Sequence, residues 1–295
     1  MEDYPIKRVK SLYLIGDPID HSISPQIHNA ALKYHKIPYI YKSCKISLCD
    51  LPKFLLMCKK EAVIGFNITI PLKTEILRYL DDISPIARKI GAINTVKIEN
   101  GKLSGINTDV AGIQQAIKIS QCPYKSLKNI VILGAGGAAR SVAHFFSAYR
   151  VNIIIINRTL QRAEFVRNGL IKNKEIKASI QINSLDTPQR ISILSSANLL
   201  INTTPIGMWP NIMDDPLPDY IPKKQQWVFD LVYNPLETPF VHKAKQIGCK
   251  LVSGLDMLIY QSAESFKWWT GIYPNVEVMK KTAIDTIKSI FSDRS

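Results

Sequence analysis

Asn129-Ile130-Val131-Ile132-Leu133-Gly134-Ala135-Gly136-Gly137-Ala138-Ala139-Arg140 is a short β-branched apolar run that ends in glycines. It passes into Ser141-Val142-Ala143-His144-Phe145-Phe146, whose apolar spacing suits a helix. The pattern is strand, turn and helix, with Gly134 and Gly136 at the first two positions of a dinucleotide-binding fingerprint and Ala139 at the third. The first glycine permits the tight turn, the second lets backbone approach a pyrophosphate, and a small third residue lets helix and strand pack closely. The unpaired amides that open the helix then face the phosphates. Val151-Asn152-Ile153-Ile154-Ile155-Ile156 reads as the next buried parallel strand and completes a βαβ unit.

The end of that second strand bears on which nucleotide is bound. A carboxylate is expected there to hold the ribose 2′-hydroxyl of NAD. The sequence instead has Asn157-Arg158-Thr159, with no Asp or Glu before Glu164. Arg158, helped by Arg162, would meet a 2′-phosphate with a charge-assisted fork, which predicts NADP. One such interaction contributes about 1.5–3 kcal/mol, or roughly 10–150-fold in affinity. The plainer alternative is a solvated turn with its arginines on the surface.

At 295 residues the chain is long enough for two domains, and 46% hydrophobic with 21% charged residues is a globular composition. No apolar run reaches the length of a membrane span. Met1–Arg8 has no apolar stretch after its charges and does not read as a secretion signal. Five cysteines, Cys44, Cys49, Cys58, Cys122 and Cys249, include no Cys-x-x-Cys pair. They read as free, mostly buried thiols in a reducing cytoplasm. The net charge of +14 comes from scattered Lys and Arg, so it predicts a basic solvated surface that attracts small anions rather than a nucleic-acid site.

Before the glycine turn, Leu12–Ile15 reads as a first strand, followed by a loop and by Ser24-Pro25, which resembles an N-cap with Pro at the first helical position. Ser22, two residues earlier, has no such structural explanation; the two hydroxyls could instead hold a carboxylate. Strands are predicted over Tyr39–Ile46 and Val63–Ile70, and helices from Asp50-Pro52, through Ile76, Leu77 and Leu80, and from Ser84-Pro85. Ala92–Ile98 and Lys102–Ile106 form a hairpin across Asn100-Gly101. Asn107-Thr108-Asp109 caps the next helix. Further on, Asn198–Met208 is a buried strand ending in a loop with Thr203 near the cofactor, and Trp227–Tyr233 and Leu251-Val252 are later strands. The tail, with Leu258, Ala263, Phe266 and Trp269 for one helix face, is too short to stand alone. The predicted fold is α/β: a discontinuous substrate domain around an inserted Rossmann-type domain, with a cleft between them. The segments are 1–109 for substrate, 110–253 for NADP and 254–295 returning to the substrate domain.

No His-Glu-x-x-His or Cys-rich spacing suggests a metal. Tyr-x-x-x-Lys occurs at Tyr41/Lys45, Tyr124/Lys128 and Tyr220/Lys224, but none of these lies on a helix after the glycine turn. Lys73 and Asp109, each close to a strand end, remain as candidates to donate a proton to a nascent alkoxide and take one back. An ordinary surface Lys is the bland alternative.

His21-Ser22-Ile23-Ser24-Pro25, Asn67-Ile68-Thr69-Ile70-Pro71-Leu72-Lys73, Gly91-Ala92-Ile93-Asn94-Thr95 and Asn107-Thr108-Asp109 resemble, in this order, motifs of the shikimate dehydrogenases. The resemblance continues through Gly134–Arg140, Asn157-Arg158-Thr159 and Gly254–Gln261. It implies the reversible reduction of 3-dehydroshikimate to shikimate with NADPH, in the pathway to aromatic amino acids. It also implies Lys73 as the catalytic acid/base paired with Asp109, and Ser22 and Ser24 on the substrate carboxylate. Asn67, Thr69, Asn94, Asp109, Gln261 and Tyr233 would be the other substrate contacts. Gly134, Ala135, Gly136, Gly137, Ala138, Asn157, Arg158, Thr159, Arg162, Thr203, Leu231 and Gly254 would hold NADP. Many neutral hydrogen-bonding groups suit a small polyol acid, because each buried unpaired group costs about 1–3 kcal/mol. The partner expected is this small molecule, with no nucleic acid and no membrane; a homodimer is compatible with the sequence. Two rivals stand beside this reading: a quinate/shikimate dehydrogenase using NAD or NADP, and an NADP-binding sensor without turnover.

Overall fold

The computed structural model describes residues 10–20, 22–172 and 175–292. Met1–Arg8, where no export signal was predicted, and His21 of the first motif lie outside them. The chain begins with β1 (Lys10–Gly16), α1 (Ser24–Tyr34), β2 (Tyr39–Lys45), α2 (Leu51–Lys60) and β3 (Val63–Ile68). A short 3-10 helix (Glu75–Tyr79), β4 (Asp82–Ile83), α3 (Pro85–Ile90), β5 (Thr95–Glu99), β6 (Lys102–Ile106) and α4 (Asp109–Ile119) follow. Next come β7 (Asn129–Leu133), α5 (Gly137–Ser147), β8 (Asn152–Asn157), α6 (Leu160–Ile171), β9 (Ser179–Ser184) and α7 (Arg190–Ser196). The chain continues with β10 (Leu199–Asn202), β11 (Trp227–Asp230), α8 (Pro239–Ile247), β12 (Lys250–Ser253), α9 (Gly254–Thr270) and α10 (Val276–Ser292). Two compact units result: Met1–Ser84 with Ile93–Ile106 and Ala263–Ser295, and Pro85–Ala92 with Asn107–Ser262.

The first unit holds a mixed sheet in the order β2-β1-β3-β5-β6-β4. β2, β1 and β3 are parallel, whereas β3–β5 and β5–β6 are antiparallel. In the β5–β6 hairpin, Asn100 and Gly101 both take positive φ, 52° and 75°, as a primed two-residue turn between twisted strands requires. Leu12, Ile15, Phe66 and Val96 are fully buried in this core, with Ala263, Phe266 and Trp269 of α9 also buried. The Trp269 indole N–H donates to the Val96 carbonyl at 2.9 Å, anchoring the returning helix to the sheet. Leu258, predicted for that face, is only half-buried. Met257 and Ile259 are buried instead.

The second unit is a six-stranded sheet in the order β12-β11-β10-β7-β8-β9, parallel at every pairing. Renumbered within the unit this is the doubly wound order, with its reversal between β7 and β10. Successive residues of β7 serve opposite faces of the sheet. Ile130 and Ile132 join α4, α5 and α6 on one side. Val131 and Leu133 pack with Leu194 of α7 and Phe240 and Ala244 of α8 on the other. That explains the unbroken apolar run, since a strand covered on both faces needs no polar alternation.

Some local predictions fail for identifiable reasons. The stretch through Ile76, Leu77 and Leu80 is a five-residue 3-10 helix ending at Tyr79, not an α-helix; its apolar spacing supplies one turn only. The strand predicted to reach Ile70 stops at Ile68. β9 escaped detection because it is an edge strand with no fully buried residue and little apolar content.

Candidate active site

In the first unit, β1, β3 and β5 bring the N-terminal candidates to neighbouring strand ends. The N-cap expected at Ser24 does not form. α1 already begins at Ser24, and no side chain caps its Ile23 N-cap. It is the Ser22 hydroxyl that accepts from the Ser24 amide at 3.3 Å and donates to the Ser24 hydroxyl at 3.1 Å. Ser22 therefore has the structural use, and Ser24 is buried.

Asn67, near the end of β3, is committed inside the unit. Its Oδ1 accepts from the Tyr41 hydroxyl at 2.8 Å. Its Nδ2 lies 3.1 Å from the Asn94 carbonyl, 3.0 Å from Thr95 Oγ1 and 3.1 Å from Ser265 Oγ. Thr95 in turn donates to Asn94 Oδ1 at 3.0 Å. Ser265 was not singled out in the sequence, and Tyr41 and Thr95 were not read as partners of Asn67, although a Tyr-Asn-Thr set inside buried strands is a usable signal of a polar network. Thr69 follows β3, half-buried, with its amide bonded to Ile15 O at 2.9 Å. Lys73 is half-buried too, and its carbonyl accepts from the Ile93 amide at 2.8 Å, next to Asn94.

In the second unit, Asp109 opens α4 and is buried. The Asn107 side chain accepts its amide at 3.0 Å, and the Ser141 hydroxyl approaches its Oδ2 at 3.4 Å. Gln261 accepts from the Thr108 hydroxyl at 3.2 Å and donates to Ser262 at 2.8 Å. Tyr233 follows β11 and is half-buried. Thus Lys73, Ser22, Ser24, Asn67, Thr69 and Asn94 belong to the first unit, and Asp109, Tyr233 and Gln261 to the second.

The glycine turn lies beside the reversal of strand order. Gly134 has φ of 104°, and a Cβ there would stand 2.7 Å from Thr203 Oγ1. Thr203 itself donates to the Leu133 carbonyl at 2.6 Å, tying the β7 and β10 ends together. A Cβ on Gly136 would meet nothing within 4 Å, so open space faces the start of α5 and its unpaired first amides. At the end of β8, Asn157 donates to the Thr159 carbonyl at 2.8 Å. Arg158 and Arg162 are exposed, and neither forms an ion pair with a described residue. Open space before a helix N-terminus and two unengaged guanidiniums fit a dinucleotide diphosphate carrying a 2′-phosphate. Gly254 has a packing reason of its own: a Cβ would lie 2.3 Å from the Asp230 carbonyl.

Among the described residues, no group of three or more His, Cys, Asp or Glu is placed to hold a metal ion, and no helix is long and apolar enough to cross a membrane. All five cysteines are free; burial pushes the Cys58 and Cys122 thiols up to about 12.

Family models match three stretches of the chain: the shikimate dehydrogenase substrate binding domain over residues 14–96, shikimate / quinate 5-dehydrogenase over 116–204, and the shikimate 5′-dehydrogenase C-terminal domain over 254–284. A shikimate dehydrogenase (NADP(+)) of Methanocaldococcus jannaschii is 44% identical over 95% of this chain and 98% of its own. The crystal structure of shikimate 5-dehydrogenase from Thermus thermophilus, in complex with NADP(H) and shikimate, is 34% identical with a TM-score of 0.80. It covers 94% of this chain and 99% of that one. Quinate dehydrogenase from Corynebacterium glutamicum, in complex with NAD, aligns with a TM-score of 0.83 at 28% identity, over 94% and 99% of the two chains.

Proposed function

The chain belongs to the shikimate dehydrogenase family, and on that premise we propose that Lys73 is its general acid/base and Asp109 the carboxylate that works with it. The reaction is the reversible NADP-dependent reduction of 3-dehydroshikimate to shikimate, a step of aromatic amino acid biosynthesis. NADPH, when bound, supplies the hydride. The protein has to orient the ketone and manage one proton. In the reduction, the Lys73 ammonium donates that proton to the developing alkoxide; in the oxidation, the neutral amine takes it back.

Ser22 and Ser24 offer adjacent hydroxyls to the substrate carboxylate, and Thr69, Asn94, Asp109, Tyr233 and Gln261 offer groups for its ring hydroxyls. Asn67 acts from behind: with its amide engaged by Tyr41, Thr95 and Ser265, it fixes the Asn94 strand end. Gly134 to Ala138 and Thr203 lie against the dinucleotide, with Asn157, Arg158, Thr159 and Arg162 on its 2′-phosphate, Leu231 beside it, and Gly254 setting the backbone that carries Leu231.

The observation that carries the cofactor half is the Gly134–Gly136 turn at the switch point, with exposed, unengaged Arg158 and Arg162 where NAD would require a carboxylate. The test is a rate matrix of shikimate and quinate against NADP and NAD. The highest kcat/KM is expected for shikimate with NADP; faster quinate turnover with NAD would replace this reading with a quinate dehydrogenase. No hydride transfer despite tight NADPH binding would make the protein a sensor. The reading includes a cytoplasmic location, supported by five free thiols, and allows a homodimer, which sedimentation decides.

A further inference from the structure

Asp230, the last residue of β11, is 2% exposed. Trp227, Val228 and Phe229 before it are apolar and buried, and among the described residues no Lys, Arg or His pairs with its carboxylate. Three donors from three segments converge on it instead. Asn202 at the end of β10 donates to Oδ1 at 2.9 Å. The Val232 amide donates to the same oxygen at 3.0 Å, and Thr238, the N-cap of α8, donates to Oδ2 at 2.7 Å. Asn202 carries the arrangement onward. Its Oδ1 accepts from the Thr204 amide at 3.0 Å and the Thr204 hydroxyl at 2.6 Å, and its Nδ2 reaches the Ile206 carbonyl at 3.3 Å. The Asp230 carbonyl is the atom that excludes a side chain at Gly254.

We infer that Asp230 is a positioning residue: through Asn202 and the Val232 amide it sets the loops 203–206 and 231–233, which carry Thr203, Leu231 and Tyr233. A buried anion without a counter-ion is costly, and it is tolerated where several preorganised donors compensate. Each donor here belongs to a backbone turn that the carboxylate defines. An amide at this position is a weaker hub: with its oxygen kept on Asn202 and the Val232 amide it turns an N–H₂ towards the Thr238 hydroxyl in place of an acceptor, and the two bonds it keeps lose their charge assistance. Burial raises the Asp230 carboxyl to about 6, with Asp215 adding repulsion although Asp215 is itself held by Lys243 at 2.7 Å. Protonation removes acceptor capacity, so the loops loosen on acidification.

The inference rests on the reading that Thr203 and Leu231 face the dinucleotide. Its test compares wild type, Asp230→Ala, Asp230→Asn and Thr203→Ala. NADPH affinity is measured by fluorescence titration and thermal unfolding without ligand. Asp230→Ala, which strands Asn202 Nδ2 and the Val232 amide at this oxygen, should bind NADPH about tenfold more weakly, and Asp230→Asn, which keeps an oxygen for both, should recover part of that. Wild-type affinity in a folded Asp230→Ala protein overturns the inference, as does a loss that Asp230→Asn leaves wholly unrepaired. If Asp230→Ala does not fold, the pH series on wild type decides. NADH is the probe there, because a 2′-phosphate itself titrates near 6. Affinity falling with acid around pH 6, at constant fold, supports the inference, and a flat profile overturns it. Thr203→Ala separates the two failures: unchanged NADPH binding in that variant contradicts the placement of the loop and not the role of Asp230.

Discussion

Replacing Arg158 by Ala probes cofactor choice in isolation from the fold. Arg158 lies between the last residue of β8 and the start of α6, exposed and without an ion pair among the described residues. Its removal should therefore change the unfolding free energy by no more than about 0.5 kcal/mol. A charge-assisted hydrogen bond to phosphate contributes about 1.5–3 kcal/mol, and exposure to solvent places Arg158 at the lower end. The KM for NADP should rise about tenfold, and removing Arg162 as well should bring the total to roughly a hundredfold if the two act independently. NAD lacks the group these residues meet, so its KM should move no more than about twofold. Raising the salt concentration should erode the wild-type preference for NADP and leave the double variant indifferent. Initial rates with saturating shikimate, for both cofactors at two ionic strengths, are the assay. Equal losses for NAD and NADP would refute the assignment, since they would mean that Arg158 shapes the site rather than reading the phosphate.

Two further outcomes follow from the first unit. His28 is fully buried, stacked 4.3 Å from the Tyr41 ring, with both ring nitrogens unpartnered, and burial lowers its pKa to about 3. The unfolded chain takes up that proton below about pH 6.5 while the folded one does not, so His28 costs increasing stability as pH falls from there towards 3. Denaturant unfolding of His28→Leu should show an advantage over wild type that grows between pH 7 and pH 5, and parallel curves would refute it. Asn67→Ala removes the acceptor 2.8 Å from the buried Tyr41 hydroxyl and should cost about 1–3 kcal/mol, whereas Ser265→Ala still leaves Asn67 Nδ2 two acceptors and should cost about 1 kcal/mol or less. Urea midpoints of the two variants check that order, and Asn67→Ala should also raise the KM for shikimate; equal midpoints would deny the network its role.

The doubly wound sheet was readable because its central strands leave little choice. An unbroken β-branched run ending in Gly134-Ala135-Gly136 has to be a buried parallel strand entering a helix, and Ile153–Ile156 repeats the signal. What was missed lacks that redundancy. β9 is half-exposed at an edge, so few apolar residues mark it. The hydroxyl-to-amide bond falls to Ser22 and not to Ser24 because the Ser-Ile-Ser-Pro loop offers two hydroxyls two residues apart, and residue type alone does not say which one meets an amide. Asp230 and Asn67 were not recognised as network centres, since Asn202 lies 28 residues from Asp230, and Tyr41, Thr95 and Ser265 lie 26, 28 and 198 residues from Asn67. A charged or amide residue closing an otherwise apolar buried strand is the local sign that such partners exist, and Trp227-Val228-Phe229-Asp230 carries it.

The most direct test of the central claim is single-turnover hydride transfer by Lys73→Ala, followed as NADPH absorbance after mixing with 3-dehydroshikimate. A proton donor removed from the reacting oxygen should slow that step by about 10²–10⁴-fold, with NADPH and shikimate dissociation constants changed only a few-fold. Transfer at the wild-type rate, with the whole defect in substrate affinity, would show Lys73 to be a binding group and contradict the account.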